Sequence, residues 1–482
     1  MKGLMKRQIF FILFIILVTA GLPGLLLTSC SKGSMKGMII LTQGIEKIGD
    51  TNSYAGGSWR FIPHARLVAV DPARPDKSPR ILTGDFVSAC TPDISYDGRT
   101  MLFAGQRKEG EAWQIWEMNL RNSRIRQVIV STDNCIDPVY LPGDRLAFCR
   151  ITVNDSLMAG CSVFTGKLDG SGIQRVTFNP NTYFGLNVLR DGRLLAGTRQ
   201  LLPEPMDPYW VVLRPDGTKA DKFYKGVAHS KIFGRAWETT DGKIIFTESE
   251  NHEQVVGHLV SIRYNRPLHS RVDLAPGNAG DFYAVYPWSP GVYLVSCRKP
   301  GDNRYALYTF DAESGNTGKK VFKDPEYDIL DVVVVQERIR PKKLPSEVDM
   351  GVKTGLLLCQ DINILGHETC KDATSKGKAA GIEILGLHTS YGKVTVEKDG
   401  SFYIKAMADT PFRIQTLDGN GRVINSPSSW IWLRPNERRG CIGCHENPEL
   451  APENKVPLAV KKNPVIVPVH ITEVTEKEVD LE

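Results

Sequence analysis

The chain has 482 residues, of which 41% are hydrophobic and 24% are charged, with 44 Gly and 29 Pro. This composition excludes a disulfide-rich miniprotein, a collagen-like fibre and a disordered chain, and the length suffices for two or three domains. The formal net charge is +6, but three of the 60 basic residues lie in the leader described next. The rest of the chain has 57 basic and 54 acidic residues. That balance is too even to indicate nucleic acid as a partner.

The first 30 residues predict export and lipid attachment. A positive start precedes an apolar stretch over residues 9–20, and Leu27-Thr28-Ser29-Cys30 has the form of a bacterial lipobox. The positive residues are Lys2, Lys6 and Arg7. Residues 1–29 would then be a lipoprotein signal peptide and 30–37 a tether, with an ordinary secretory signal and an anchor helix as alternatives. We expect a protein of the bacterial cell envelope, held on a membrane by acyl chains on Cys30 and facing the periplasm or the outside.

Turn glycines recur along residues 98–291 with the period of a β-propeller. The steps between them are 45, 49, 50 and 49 residues, and the turns lead into short apolar strands. These glycines are Gly98, Gly143, Gly192, Gly242 and Gly291. Strands at residues 38–42, 66–70 and 80–82 supply a sixth unit. A β-sandwich of similar length is the alternative, but the regular spacing favours a six-bladed propeller over residues 38–340.

The rest of the chain predicts a second, smaller domain. Apolar residues 329–335 suit a closing strand that pairs with the first strand of the ring. Prolines then indicate a linker over residues 341–354. Residues 355–460 contain short strands and the hairpin turn Asp399-Gly400, and they predict a β-sandwich-like domain, followed by a charged tail at 461–482. The fold class is thus all-β, a six-bladed propeller followed by a small β-sandwich-like domain.

A C-x-x-C-H motif stands near the end of that second domain, as Cys441-Ile442-Gly443-Cys444-His445. This spacing lets two thiols form thioethers with the vinyl groups of one haem, while the adjacent histidine binds the iron. A disulfide pair and half of a zinc site are the alternatives, although the sequence has no second C-x-x-C to complete a zinc cage. We therefore predict one covalent haem c on Cys441, Cys444 and His445.

The sixth ligand of the iron is left open by the sequence. The side chains that could supply it are His367, His388, Met407 and His470. A closed site would carry electrons, whereas an open iron would bind a small molecule.

Cys149 and Cys161 lie at equal distances from Asp155, the centre of a predicted turn. A disulfide across a hairpin and a pair of buried thiols are both consistent with that spacing. Cys90 and Cys135 each precede a turn glycine by eight residues, so they occupy matching positions of neighbouring blades. At that pair, a metal site or a disulfide between blades competes with plain packing.

The segments at residues 67–75, 114–118, 428–435 and 439–452 resemble the hydrazine synthase alpha subunit family, and the similarity runs from about Met38 to Val460. The resemblance implies a six-bladed propeller followed by a middle domain with a catalytic c-type haem. That family continues into a further haem domain, and a tyrosine four residues after its motif histidine binds the iron while the histidine binds zinc. Glu449 occupies the tyrosine's position here. The resemblance therefore implies His445 on the haem iron, or a Glu449 carboxylate ligand with a second metal such as zinc at His445.

The leading hypothesis is a lipid-anchored monohaem c-type protein that performs redox chemistry or electron transfer with a redox partner protein or a small-molecule substrate. The replacement of the tyrosine argues against hydrazine synthesis itself. A haem-dependent oxidoreductase requires an open position at the iron, and no catalytic residue is assigned. The alternative is a propeller binding or scaffold lipoprotein in which the haem is a structural staple.

Overall fold

The computed structural model describes residues 35–45, 60–154, 157–226, 231–249, 257–277, 280–364, 377–443 and 454–468, with the side chains of 152–159 left out. The predicted signal peptide and the lipidation site at Cys30 lie outside these residues. No helix within the described ranges is long and apolar enough to cross a membrane.

Residues 39–334 form six four-stranded antiparallel sheets. Their strands are β1 (Ile39–Gly44), β2 (Arg66–Val70), β3 (Arg80–Ile81), β4 (Ser88–Ile94), β5 (Thr100–Gln106), β6 (Gln114–Asn119), β7 (Ile125–Ile129), β8 (Cys135–Leu141), β9 (Arg145–Asn154), β10 (Leu157–Lys167), β11 (Gln174–Arg175), β12 (Asn181–Val188), β13 (Leu194–Gln200), β14 (Tyr209–Leu213), β15 (Asp221–Tyr224), β16 (Lys231–Glu238), β17 (Lys243–Ser249), β18 (His258–Arg263), β19 (Val272–Asp273), β20 (Asp281–Ser289), β21 (Val292–Arg298), β22 (Ala306–Asp311), β23 (Asn316–Phe322) and β24 (Asp328–Val334). Blade 1 is β24-β1-β2-β3, and blades 2 to 6 follow as β4–β7, β8–β11, β12–β15, β16–β19 and β20–β23.

The innermost strands β24, β4, β8, β12, β16 and β20 pack against one another in a ring, and β20 returns to β24. Strand β24 pairs with β1, with Val334 opposite Ile39, so the first blade takes strands from both ends of the propeller sequence. This confirms the six blades and the closing strand. All five turn glycines have a positive φ, between 69° and 92°. The tight turns that join the first two strands of these blades need this backbone conformation, and glycine adopts it without strain.

The innermost strands are buried on both faces because each is flanked by two neighbouring blades. Every residue of β4, β8 and β24 is buried, whereas the outer strand β7 exposes its middle. Polar residues on an inner strand are therefore enclosed around the axis of the ring, where each needs a partner.

The second domain is a β-sandwich. Its strands are β25 (Thr354–Cys359), β26 (Gly381–Leu385), β27 (Ser390–Thr395), β28 (Phe402–Met407), β29 (Arg413–Leu417), β30 (Val423–Asn425), β31 (Arg438–Cys441) and β32 (Val465–Val467), with a short 3-10 helix at Leu458–Lys461. The sheets β31-β25-β28-β32 and β27-β26-β29-β30 share one core, with Leu357 and Ile404 from the first and Ile382 and Ile414 from the second. Strand β32 pairs in parallel with β28, so the domain extends beyond the predicted limit at residue 460.

Residues 335–353 link the two domains, so the linker begins earlier than the predicted residue 341. It crosses the propeller face formed by the turn glycines and reaches blade 4, where Asp216 Oδ2 accepts the Glu347 N–H at 2.8 Å. The sandwich docks on the same blade through Arg434. Its Nε donates to the Asp216 carbonyl at 2.9 Å, and its guanidinium pairs with Asp409 and lies 4.7 Å from the Phe178 ring centroid.

Candidate functional site

The C-x-x-C-H motif begins on strand β31, at the edge of a sandwich sheet. β31 runs parallel to β25, and the register places Cys441 beside Cys359. Cys359 is buried, whereas Cys441 is only partly buried against the sandwich core. The chain therefore leaves the sheet at Cys441, with this side chain at the edge of the apolar core.

Main-chain hydrogen bonds hold Cys441 and Ile442 in place. The Gln360 N–H donates to the Cys441 carbonyl at 2.8 Å, and the Asp361 N–H donates to the Ile442 carbonyl at 3.0 Å. The turn after β25 thus holds the first part of the motif as an extension of the parallel pair. This contact was not predictable from spacing, because β25 and β31 are about eighty residues apart in sequence.

Gly443 is packed against the same turn. A Cβ at this position would lie 2.4 Å from the Ile364 carbonyl oxygen, which is closer than real Cβ atoms approach. At Gly440, three residues earlier, an added Cβ would meet nothing within 4 Å. The motif therefore needs a glycine at 443 and has no such requirement at 440.

The remaining motif residues Cys444 and His445, with Glu449 and His470, lie outside the described residues, as does His367. Two of the suggested sixth ligands are placed. Met407 pairs with Thr354 at the opposite end of β25 from Cys359, about 16 Å away at the usual rise of a strand. His388 is exposed between β26 and β27, in the other sheet. The structure thus separates Met407 from the motif.

The described part of the motif fits thioether attachment of haem c. Its first cysteine is partly exposed on β31, the edge strand of this sheet among the residues described, with a fixed backbone and apolar neighbours on one side. A macrocycle needs such an edge, since an enclosed thiol could not reach its vinyl group. In the sequence, Cys444 and His445 follow and supply the second thiol and the histidine that the motif requires.

The propeller cysteines lie in a different environment. Burial raises the pKa of four of these thiols to about 12 and that of Cys149 well above its usual range. The four are Cys90, Cys135, Cys161 and Cys297. Thiols with such pKa values are protonated at neutral pH and are therefore poor nucleophiles and metal ligands.

Of the two alternatives for Cys149 and Cys161, a disulfide or buried thiols, the structure has buried free thiols. The register pairs Leu157 with Asn154 next to the turn, and it places Val163 opposite Cys149 and Ile151 opposite Cys161. The two cysteines are therefore diagonal neighbours. The hairpin is not centred on Asp155, so equal distance from that residue does not bring the two thiols face to face.

Cys90 and Cys135 pack as small apolar side chains within the core shared by blades 2 to 4. Among the residues that the structure describes, no group of three or more His, Cys, Asp or Glu side chains could hold a metal ion. At these two positions the packing interpretation is the one that the geometry supports.

Sequence reasoning missed a set of ion pairs along the propeller axis. The buried Arg60 and Asp137 form a two-contact pair, with Nε 3.2 Å from Oδ2, and Asp137 also accepts the Gly185 N–H at 2.7 Å. Burial alone would raise the pKa of Asp137, but Arg60 outweighs it and the pKa is lowered. Burial does raise the pKa of Asp331 on β24. Aspartates on otherwise apolar inner strands were the available sequence signal.

A second set of charged side chains lies at the end of the axis next to the linker. Arg235 of blade 5 donates from Nη1 to the Pro92 carbonyl of blade 2 at 2.9 Å, so its side chain reaches across the ring. Arg338 of the linker lies 3.1 Å from Asp93 on the same strand β4. These contacts join opposite blades and the linker into one unit.

Comparison with known proteins places this geometry in a family context. Residues 360–446 match the family model of the hydrazine synthase alpha subunit middle domain. Hydrazine synthase subunit alpha of Kuenenia stuttgartiensis is 23% identical over 514 residues, covering 80% of this chain and 63% of the relative's length. The solved structure of Kuenenia stuttgartiensis hydrazine synthase has the same fold over 88% of this chain and 71% of that chain, with a TM-score of 0.75 and 20% identity. These matches confirm the resemblance that the motifs predicted.

Proposed function

We propose, from the similarity of this chain to the hydrazine synthase alpha subunit family, that it is a c-type haem protein with redox chemistry at one covalent haem. Cys441 and Cys444 would attach the haem, and His445 would bind its iron. The observation that carries the proposal is the motif's position inside the matched segment 360–446, with the partly exposed Cys441 on the edge strand β31. The haem would supply one-electron chemistry when bound.

The chain's own residues would determine where the haem lies. The turn at Gln360 and Asp361 holds the carbonyls of Cys441 and Ile442, and the close approach of Ile364 fixes Gly443. Because these contacts tie the motif to the sandwich core, the first thioether would be rigidly placed. A rigid attachment keeps reorganisation small during electron transfer or binding of a substrate.

The activity of hydrazine synthase is not part of the proposal, because Glu449 stands where the resemblance implies the iron-binding tyrosine. Glu449 as a carboxylate ligand, with zinc at His445, is the second ligand arrangement that the resemblance allows. A redox partner protein or a small-molecule substrate would complete the function.

The proposed location is the cell envelope, with acyl chains on Cys30 as the membrane anchor. Its support is the leader sequence. A Cys30→Ser variant should leave the membrane fraction and appear in the soluble periplasmic or secreted fraction. If this variant stays with the membrane, the lipid anchor is contradicted.

The function is tested by exporting the full chain together with a cytochrome c maturation system and measuring haem by the pyridine haemochrome. One haem per chain is expected, and none for Cys441→Ala/Cys444→Ala. Cys297→Ala removes a buried propeller thiol and serves as the matched control with unchanged haem content. If the unaltered chain carries no covalent haem, the redox function is overturned and a binding or scaffold propeller takes its place.

Carbon monoxide binding to the reduced protein then separates the two redox classes. Binding would show an open iron and favour an oxidoreductase acting on a small molecule. A six-coordinate spectrum that does not change with carbon monoxide would identify an electron carrier.

A further inference from the structure

The inner strands of blades 2 to 5 share a bulge at the same place, where one residue has a positive φ between 51° and 72°. These residues are Thr91, Asp137, Gly185 and Gly234. In blades 2 to 4 the residue that follows is a proline or a leucine, whereas in blade 5 it is Arg235. Arg235 donates from Nη1 to the Pro92 carbonyl of the opposite blade at 2.9 Å. A charged guanidinium therefore lies across the propeller axis, at a position that is apolar in three other blades.

Arg235 shares its nearest carboxylate with other donors. Its side chain is 2% exposed, and Asp93 Oδ1 lies 3.9 Å from Nη1. The two oxygens of Asp93 already accept from Arg338 Nη2 at 3.1 Å and from the Tyr140 N–H at 2.9 Å. The Nε and Nη2 atoms of Arg235 have no hydrogen-bond partner among the residues that the structure describes. Because unpaired buried donors of a charged group are unfavourable, these two atoms point to a ligand.

Two more polar atoms without a partner come from blade 1. Asp331 on β24 is buried, and its Oδ1 accepts the Val332 N–H at 3.0 Å. In the part of the chain that is described, Asp331 Oδ2 has no hydrogen-bond partner, and neither has the hydroxyl of Thr42, which pairs with Asp331 across β1. Burial raises the pKa of Asp331, and the positive charge of Arg235 opposes that rise more than any other charge does. Arg235 and Asp331 are therefore neighbours on the axis.

These groups match a small planar anion. The Nε–H and Nη2–H bonds of a guanidinium lie on one edge and point the same way, so they bind the two oxygens of a carboxylate at once. The raised pKa favours the protonated form of Asp331, which donates a hydrogen bond as the Thr42 hydroxyl does. With Asp331 protonated, the three arginines of the axis face two ionised aspartates, so a bound monoanion balances the charge.

We propose that the propeller axis binds a small planar monoanion of the carboxylate class, with its two oxygens on Arg235 Nε and Nη2. Asp331 and Thr42 donate to the same ion. The mouth next to the linker gives a short approach, because Trp237 lines a cavity of about 250 Å³ there and its ring centroid lies 5.5 Å from the Arg235 guanidinium. The site goes beyond the proposed function and is independent of the haem, since its residues all belong to the propeller.

The test is a titration of isotope-labelled formate with the full chain at constant ionic strength, followed by the broadening of the formate NMR signal. A Kd on the order of 1 mM is expected, because so small a ligand can contribute little binding energy. Arg235→Lys keeps the charge but loses the paired donors, so it should weaken binding by about tenfold or more. Arg298→Lys is the matched control with unchanged affinity, because Arg298 pairs with Asp281 at 2.8 Å on blade 6, outside the axis.

A second variant guards against misfolding of Arg235→Lys. Thr42→Val keeps the β-branched shape and removes only the hydroxyl, so it should weaken formate binding several-fold. The absence of saturable broadening up to about 100 mM formate, or equal affinity in the unaltered chain and both axis variants, would overturn the proposal. Displacement of formate by an equal concentration of chloride would show a site for any small anion, and a parallel change in the haem absorption spectrum would place formate on the iron. Either result would also overturn it.

Discussion

The interior of the propeller and the edge of the sandwich both carry cysteines, but they place them in opposite environments. Cys90 and Cys161 are enclosed between blades, and burial raises the pKa of each thiol to about 12. Cys441 lies on the edge strand β31, where it is only partly buried and its carbonyl accepts a hydrogen bond from the turn after β25. The difference shows that position in the fold, rather than residue type, determines which thiols can react.

Charge does not distinguish the two regions. The propeller axis encloses arginines and aspartates in specific pairs, since an unpaired ion would be strongly unfavourable there. On the sandwich edge strand β31, the Arg439 guanidinium likewise donates to the buried Glu437 carboxylate at 2.8 Å. Buried charges are therefore paired in both regions, and the environment of the thiols is what separates them.

The largest expected effect comes from breaking a pair inside the propeller. Asp137→Asn keeps the shape and suits the positive φ of 51° at this position, so it isolates the loss of charge. Arg60 would be left buried without its carboxylate, and we expect the free energy of unfolding to fall by about 3–5 kcal/mol. Urea denaturation followed by circular dichroism measures this change.

Asp302→Asn is the matched control, because its ion pair with Lys323 lies on the surface. Its free energy of unfolding should be nearly unchanged. If the two asparagine variants were equally stable, the Arg60–Asp137 pair would not have the structural role given to it here.

The buried thiols predict a loss of stability at alkaline pH. Their folded pKa lies above the unfolded value, so their contribution is complete below about pH 9 and is lost as the pH rises towards about 12. Each buried propeller thiol with a raised pKa should lower the free energy of unfolding by about 1–1.5 kcal/mol between pH 8 and pH 10. Unfolding curves of the unaltered chain at the two pH values measure the summed fall.

Cys161→Ala removes one of these ionisations, so its fall between pH 8 and pH 10 should be smaller than that of the unaltered chain. An equal fall in both proteins would show that this thiol ionises as readily in the folded state as in the unfolded one.

A smaller effect is expected at the sandwich edge. Gly443→Ala places a Cβ against the Ile364 carbonyl, so the turn must shift, at a cost of about 2 kcal/mol. The haem content of the exported protein should fall with it, because the shift displaces the motif. Gly440→Ala meets no neighbour and should keep the haem content of the unaltered chain. Equal haem contents in the two variants would show that haem attachment does not depend on the contact between Gly443 and Ile364.

Much of the fold follows from local signals. Positive-φ turn glycines mark the hairpin between the first two strands of blades 2 to 6, so their spacing predicts the period of the blades. The closing strand was also predictable, since the apolar run at residues 329–335 had no partner within its own repeat. The motif at 441–445 is likewise local, because haem attachment requires contiguous residues.

Contacts between distant segments were not predictable. Strand β31 has no periodic pattern of its own and exists because β25 supplies its hydrogen bonds. The pair Arg60–Asp137 joins residues 77 apart, and nothing in either neighbourhood indicates the other. The register of β9 and β10 separates Cys149 from Cys161, and the turn residues alone do not fix that register.

We expect a covalent haem at the sandwich edge and on no propeller cysteine. Peptide mass mapping can locate it on the full chain, exported with the cytochrome c maturation system. One haem mass is expected on the peptide that contains Cys441 and Cys444, and none on peptides from the propeller. Haem on a propeller cysteine, or no haem on the Cys441–Cys444 peptide, would contradict it.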